Sequence, residues 1–187
     1  MTRPRSKSGP LRVAIVGAGM ISHHHLIAWC RAAEAARVIA VFDPNPARAG
    51  ARAQEFGIPT VYSNAEAVLA DEAIDALDIA SPCNTHAFWI ERAAVRRIDA
   101  LCQKPLTPTL AQAKILIAET AGRMRLMVHE NWRFRPWYRQ LKKWLDAGEL
   151  GEIIGVQMTV ISSGLLPDIN GDRPALVRQH SWHTNRT

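Results

Sequence analysis

The sequence predicts an α/β fold, a doubly wound parallel sheet followed by an incomplete second α+β domain. Three observations predict it. Short β-branched runs alternate with helical stretches over residues 11–130; the first run breaks at a glycine turn from which a helix opens at once; and the second run ends in an acid, Asp43, 26 positions after Gly17. Alternation of this kind implies right-handed crossovers and helices on both faces of a parallel sheet. A chain of 187 residues, 48% of them hydrophobic, buries one full core and the beginning of a second.

The elements follow in order. Leu11-Arg12-Val13-Ala14-Ile15-Val16 reads as the first strand and runs into Gly17-Ala18-Gly19-Met20-Ile21-Ser22. Gly17 permits the tight turn, and Gly19 lets the backbone approach a pyrophosphate, which then sits on the positive end of the helix. Ser22 stands where a third glycine is usual, a small residue that leaves those contacts open. The second strand, 38–42, ends at Asp43 and is followed by the turn and helix-start signals of Pro44-Asn45-Pro46-Ala47-Arg48. This completes a Rossmann-type βαβ unit that binds NAD(H) or NADP(H). Asp43 would accept hydrogen bonds from the adenosine ribose and repel a 2′-phosphate, which favours NAD. Arg48, one helical turn further on, keeps NADP possible, although a solvated surface arginine accounts for it as well. Strands at 60–62, 76–80, 100–102 and 126–129, with helices at 65–70, 86–97 and 109–122, close the series.

The carboxyl ends of the later strands carry polar clusters: Ser81-Pro82-Cys83-Asn84-Thr85-His86, Gln103-Lys104-Pro105 and His129-Glu130-Asn131-Trp132-Arg133. Open α/β sheets bind ligands at that edge. With the glycine turn, these segments resemble, over about residues 11–160, the glucose-fructose oxidoreductase, inositol dehydrogenase and MocA family, which carries a Glu-Lys-Pro motif after the fifth strand and an Asn/Arg-rich crossover after the sixth. The resemblance implies an NAD(P)-dependent oxidoreductase that moves a hydride between nicotinamide and a sugar, inositol or related hydroxyl compound. It implies that Lys104 orients the reacting hydroxyl or carbonyl and assists proton transfer. The cofactor contacts expected are Gly17, Ala18, Gly19, Met20 and Ile21 at the turn, Asp43 on the ribose, Ser81, Pro82, Asn84 and His86 after the fourth strand, Gln103 and Lys104 after the fifth, and Trp132 and Arg133 after the sixth. Gln103 replaces the family's glutamate, so any tuning of the lysine by an adjacent carboxylate is lost.

Other features point to packing rather than chemistry. His23, His24 and His25 are consecutive, and helical neighbours diverge by about 100°, so the three cannot converge on one metal ion. Cys30, Cys83 and Cys102 match no zinc or disulfide spacing. No histidine partner is implied for Cys83, which reads as a loop filler. Trp132, Trp137 and Trp144 fall near helical spacing and read as packing of a crossover helix. The net charge of +6 sits at the ends: Arg3, Arg5 and Lys7 give +3, the segment from Asp172 onward gives +2, and the body carries only +1, which argues against nucleic acid. No apolar run approaches the roughly 20 residues that span a bilayer, and residues 1–10 read as a disordered basic tail, so a cytoplasmic protein is expected.

Residues 131–187 read as a crossover helix at 140–145 stopped by Gly148, one strand at 153–161 and a truncated remnant of a second domain. The stretch from Gln179 to Thr187 has no helix or strand period and resembles an out-of-frame or shortened ending; His180 and His183 are not the acid/base pair that the family's second domain supplies. A lone strand with apolar side chains is expected to self-associate, making a homo-oligomer possible. The alternative to a hydride-transferring enzyme is a non-catalytic dinucleotide-binding module.

Overall fold

The computed structural model describes residues 9–159, which divide into two compact units at Arg135 and Pro136. In the first unit six strands, β1 (Leu11–Val16), β2 (Ala36–Phe42), β3 (Thr60–Tyr62), β4 (Ala76–Ile79), β5 (Asp99–Gln103) and β6 (Leu126–His129), form one sheet in the order β3-β2-β1-β4-β5-β6. Every neighbouring pair is parallel. The order reverses between β1 and β4, the switch point at which the carboxyl ends of the strands open a crevice. Register brings those ends to one edge: Val16 pairs with Phe42 and Ile79, and Gln103 pairs with His129.

The crossovers are α1 (Met20–Arg31), α2 (Pro46–Phe56), α3 (Ala65–Ala70), α4 (His86–Arg96) and α5 (Leu110–Thr120). Alternate residues of a strand face opposite sides of a sheet, and β1 serves both cores that way. Ala14 and Val16 pack with Leu77, Ile79, Trp89 and Ile90 on one face, whereas Ile15 packs with Leu26, Val41 and Ala49 on the other. Such strands read as unbroken apolar runs because neither face is wet. Local signals set the helix ends. Asn45 accepts from the Ala47 and Arg48 N–H groups with Pro46 in the first turn, and Gly57 closes α2 in the left-handed region; Asn64 and Thr109 cap α3 and α5 the same way. The glycine-turn helix α1 has Gly19 at its N-cap and no side-chain acceptor on its first turn.

The second unit contains α6 (Pro136–Asp146), which begins earlier than the 140–145 expected because Pro136 and Trp137 already fit its first turn. The expected strand at 153–161 is corrected for its described part: residues 153–159 form no ladder, with Ile154 99% exposed. An extended segment is held as a strand only by the backbone groups of a neighbour, and none pairs with it among the described residues. Residues 160 and 161, the tail through Ser8 and the stretch from Gln179 to Thr187 with His180 and His183 lie outside the described residues. Among the described residues no helix is long and apolar enough to cross a membrane.

Candidate functional site

The glycine turn is built from both sides of the switch point. Gly17 has φ +96°, and a Cβ there would stand 2.8 Å from the Ala80 carbonyl oxygen and the Ser81 nitrogen, so the fold itself demands glycine. Its N–H donates to the Phe42 carbonyl at 2.7 Å. Asp43, 8% exposed, staples the turn: one carboxylate oxygen accepts from the Ala18 N–H and the other from the Asn45 N–H, each at 2.8 Å. Gly19 is different, because its φ of −73° suits any residue and a Cβ would meet nothing within 4 Å. Ser22 is fully buried and its hydroxyl donates back to the Gly19 carbonyl at 2.6 Å, which accommodates a serine where a third glycine is usual. Met20 and Ile21 open α1 half-buried, while Ala18 is buried. Arg48 lies exposed on α2, whereas Arg52, one turn on, donates to the Gly19 carbonyl at 3.2 Å.

The loops after β4 and β5 are fastened to each other by His86. Expected among the cofactor contacts, it is 1% exposed, with Nδ1 3.0 Å from the Pro105 carbonyl and Nε2 2.9 Å from the Ser81 carbonyl, so its ring braces the two loops from within. The Ser81 hydroxyl meets that of Thr85 at 2.7 Å, and Pro82 and Asn84 are exposed. Cys83 leans its thiol on the Pro105 carbonyl at 3.4 Å, and burial raises its pKa, which suits the filler reading rather than a reactive thiolate. Lys104 is exposed at the end of β5, its backbone N–H donating to the Gln103 side-chain oxygen at 2.7 Å. Trp132 and Arg133 lie exposed in a 3-10 turn after β6, the Trp132 N–H donating to Glu130 at 3.2 Å.

A buried polar cluster beneath this edge was not legible from the sequence. Asp78 lies in the middle of β4 with no exposed surface. It accepts from His25 Nδ1 at 2.8 Å and from the Trp29 indole N–H at 2.6 Å, both on α1. The other nitrogen of His25 meets the Gln103 amide nitrogen at 3.2 Å and His129 Nδ1 at 3.0 Å. Burial, reinforced by His25, lowers the pKa of His129, with Asp78 and Glu130 opposing. The available signal was an acid inside an apolar strand, which is stable only with partners. Of the three consecutive histidines, His23 pairs with Glu55 at the surface and His24 is exposed, so the run diverges as helical geometry requires. Among the described residues no group of three or more His, Cys, Asp or Glu is arranged to hold a metal ion.

The site therefore presents an uncapped helix N-terminus, an open glycine and a buried acid at one sheet edge, with an exposed lysine at the end of β5. The chain is 39% identical over 140 residues to a D-apiose dehydrogenase of Paraburkholderia graminis, covering 74% of this chain and 37% of that protein. It is 40% identical over 131 residues to D-xylose 1-dehydrogenase (NADP(+)) 2 of Haloferax volcanii, covering 69% and 39%. Among solved structures it is similar to an oxidoreductase from Agrobacterium radiobacter in complex with NAD+, L-tartaric acid and magnesium, with a TM-score of 0.72 and 33% identity over 76% of this chain and 42% of that one. The chain thus spans about two fifths of the length of these two relatives. Residues 11–131 match the Gfo/Idh/MocA oxidoreductase family, described by its NAD-binding Rossmann fold, and the chain belongs to that family.

Proposed function

We propose that this chain is the dinucleotide-binding part of an NAD-dependent oxidoreductase that acts on a hydroxyl group of a sugar or polyol. The observation that carries the reading is the contrast between the two glycines. Gly17 is dictated by the fold, whereas Gly19 has room for a side chain and a backbone angle that would allow one. A glycine that packing does not need is explained by a ligand that needs its backbone, and it caps a helix whose first-turn N–H groups have no side-chain acceptor. A pyrophosphate fits that set of donors. Asp43, held at the end of β2, would present a negative charge to the ribose end of such a ligand, which supports NAD over NADP. The chemistry that nicotinamide supplies when bound is acceptance or donation of a hydride.

The chain's own residues supply the rest. Ser81 and the braced loop after β4 would shape the floor of the pocket, and Lys104, carried on the anchored end of β5, would hold the substrate hydroxyl and take or return its proton at Nζ. D-Apiose and D-xylose, the sugars named for two relatives, support a small sugar or polyol as substrate.

The test is calorimetric titration of the 187-residue chain with NAD⁺ and NADP⁺ beside a Gly19→Val variant. Tighter binding of NAD⁺, lost in a variant that melts at the parent's temperature, is the expected outcome. Equal binding of NAD⁺ by parent and variant, or none by a folded parent, overturns the reading.

A further inference from the structure

The hydrogen bonds of the polar cluster beneath the sheet edge favour one arrangement of protons. Gln103 fixes it. The side-chain oxygen of Gln103 accepts from the Lys104 backbone N–H at 2.7 Å, and a backbone N–H can only donate, so the amide nitrogen of Gln103 must be the atom that faces His25. That nitrogen is a donor, so His25 Nε2, 3.2 Å away, must be the acceptor and carries no proton. The Asp78 carboxylate accepts at the other nitrogen, so the single proton of His25 is on Nδ1. His129 Nδ1, 3.0 Å from the same unprotonated Nε2, is then a donor as well and shares the one lone pair of that nitrogen with Gln103 in a three-centre hydrogen bond, which leaves the lone pair of the His129 ring on Nε2. The groups around His25 are Asp78 on β4, Trp29 on its own helix, Gln103 on β5 and His129 on β6; Glu130 acts on His129, and the Cys102 thiol, its pKa pushed up to about 12 by burial, stays neutral.

We infer that Asp78, His25 and Gln103 form a buried positioning network that anchors the backbone at Lys104 and holds His129 as a neutral ring with its proton on Nδ1, so that His129 Nε2 is a hydrogen-bond acceptor for a hydroxyl of the ligand at this edge. The inference deepens the dinucleotide-site reading and rests on it for the identity of that ligand; the proton arrangement itself does not. A carboxylate at position 103 would reverse the arrangement. It would accept from both the Lys104 N–H and His25 Nε2–H, place a second proton on His25 between two acids, and turn His129 Nδ1 into an acceptor with its proton on Nε2.

The experiment is long-range proton–nitrogen correlation NMR of the histidine side chains in the ¹⁵N-labelled 187-residue chain at neutral pH without dinucleotide, with His129→Gln and His25→Gln identifying the signals. The expected result is one proton, on Nδ1, for both His25 and His129. Gln103→Glu is expected to give a doubly protonated His25 and to move the His129 proton to Nε2. A doubly protonated His25 in the parent, a proton on Nε2 of either ring, or spectra unchanged by Gln103→Glu overturns the inference. If a variant fails to fold, the parent spectrum still decides, because each outcome is read there first. Failure of NAD⁺ to bind in calorimetry would leave this spectrum as it is, so the two readings fail separately.

Discussion

Two glycines two residues apart in the same turn, Gly17 and Gly19, separate what the fold needs from what a ligand needs. Gly17 lies at φ +96° with the backbone of Ala80 and Ser81 2.8 Å from where a Cβ would be. Both neighbours are main chain in a tightly packed strand end, so neither can yield by turning a rotamer. Gly17→Ala is therefore expected to destabilise the first unit by about 1–3 kcal/mol from the backbone conformation alone, with the steric overlap adding to it. Chemical denaturation of parent and variant checks this; an unchanged midpoint would show that the turn relaxes in a way the structure does not suggest. Gly19→Val, with nothing near its Cβ, is expected to leave that midpoint within about 0.5 kcal/mol. Asp43 belongs at this scale too, because its carboxylate spends one hydrogen bond on each side of the turn before any ligand arrives. A spacing argument finds such an acid but not its structural task. His25 marks the opposite limit: three histidines in succession are visible in the sequence, yet which of them faces the sheet depends on how α1 crosses β4, and its partner Asp78 is 53 residues away.

Among elements, β1, β3, α3 and β6 lie where apolar periodicity and turn residues place them, because each signal is local: a β-branched run, an Asn cap, a glycine or proline at the boundary. The strand expected at 153–161 was legible only as a composition, since a strand exists through its neighbour and sequence does not name the neighbour. The edge strand β3 is only three residues long and is held from the side as well as through its ladder to β2. The Tyr62 hydroxyl donates at 2.5 Å to Asp71, the residue that ends α3 and also accepts from the Ala73 N–H. That hydrogen bond, with burial and the charge of Asp71 adding to it, raises the Tyr62 pKa from 10.0 to about 12. The folded state then favours the protonated phenol more than the unfolded chain does, so the contribution is fully present below about pH 10 and is lost as pH rises toward 12. Alkaline titration followed by ultraviolet absorbance is expected to show a phenolate forming near pH 12 that Tyr62→Phe removes. The same variant is expected to flatten the loss of stability between those two values, and a Tyr62 that ionises at its ordinary pH would dismiss the contact.

At the scale of the whole molecule, the parallel sheet with its switch point was legible because alternation and glycine spacing are global patterns, whereas the buried network that crosses four elements was not, since no pattern of period links Asp78, His25, Gln103 and His129. The charge distribution, near-neutral between two basic ends, likewise follows from the order of residues alone. What composition does not reveal is how much apolar surface the described residues of the second unit leave in water. Trp144 is 41% exposed, Leu145 43%, Ile154 99%, Val156 84% and Met158 65%. Fully burying a large apolar side chain contributes about 1.5–3 kcal/mol, so covering several of these from each of two copies offsets the several kcal/mol that association costs. The chain is thus expected to associate through this unit, with its apparent size in size-exclusion chromatography growing as concentration rises. Replacing Ile154 and Val156 together by serine removes the two most exposed of these side chains, both in the second unit, and is expected to shift elution toward the monomer while leaving NAD⁺ titration unchanged. If the parent elutes as a monomer at every concentration, the exposed stripe does not self-associate; if the variant associates as strongly as the parent, the contact lies on another surface, and the exposed apolar residues of α5, Ile115 and Ile117, become the ones to replace.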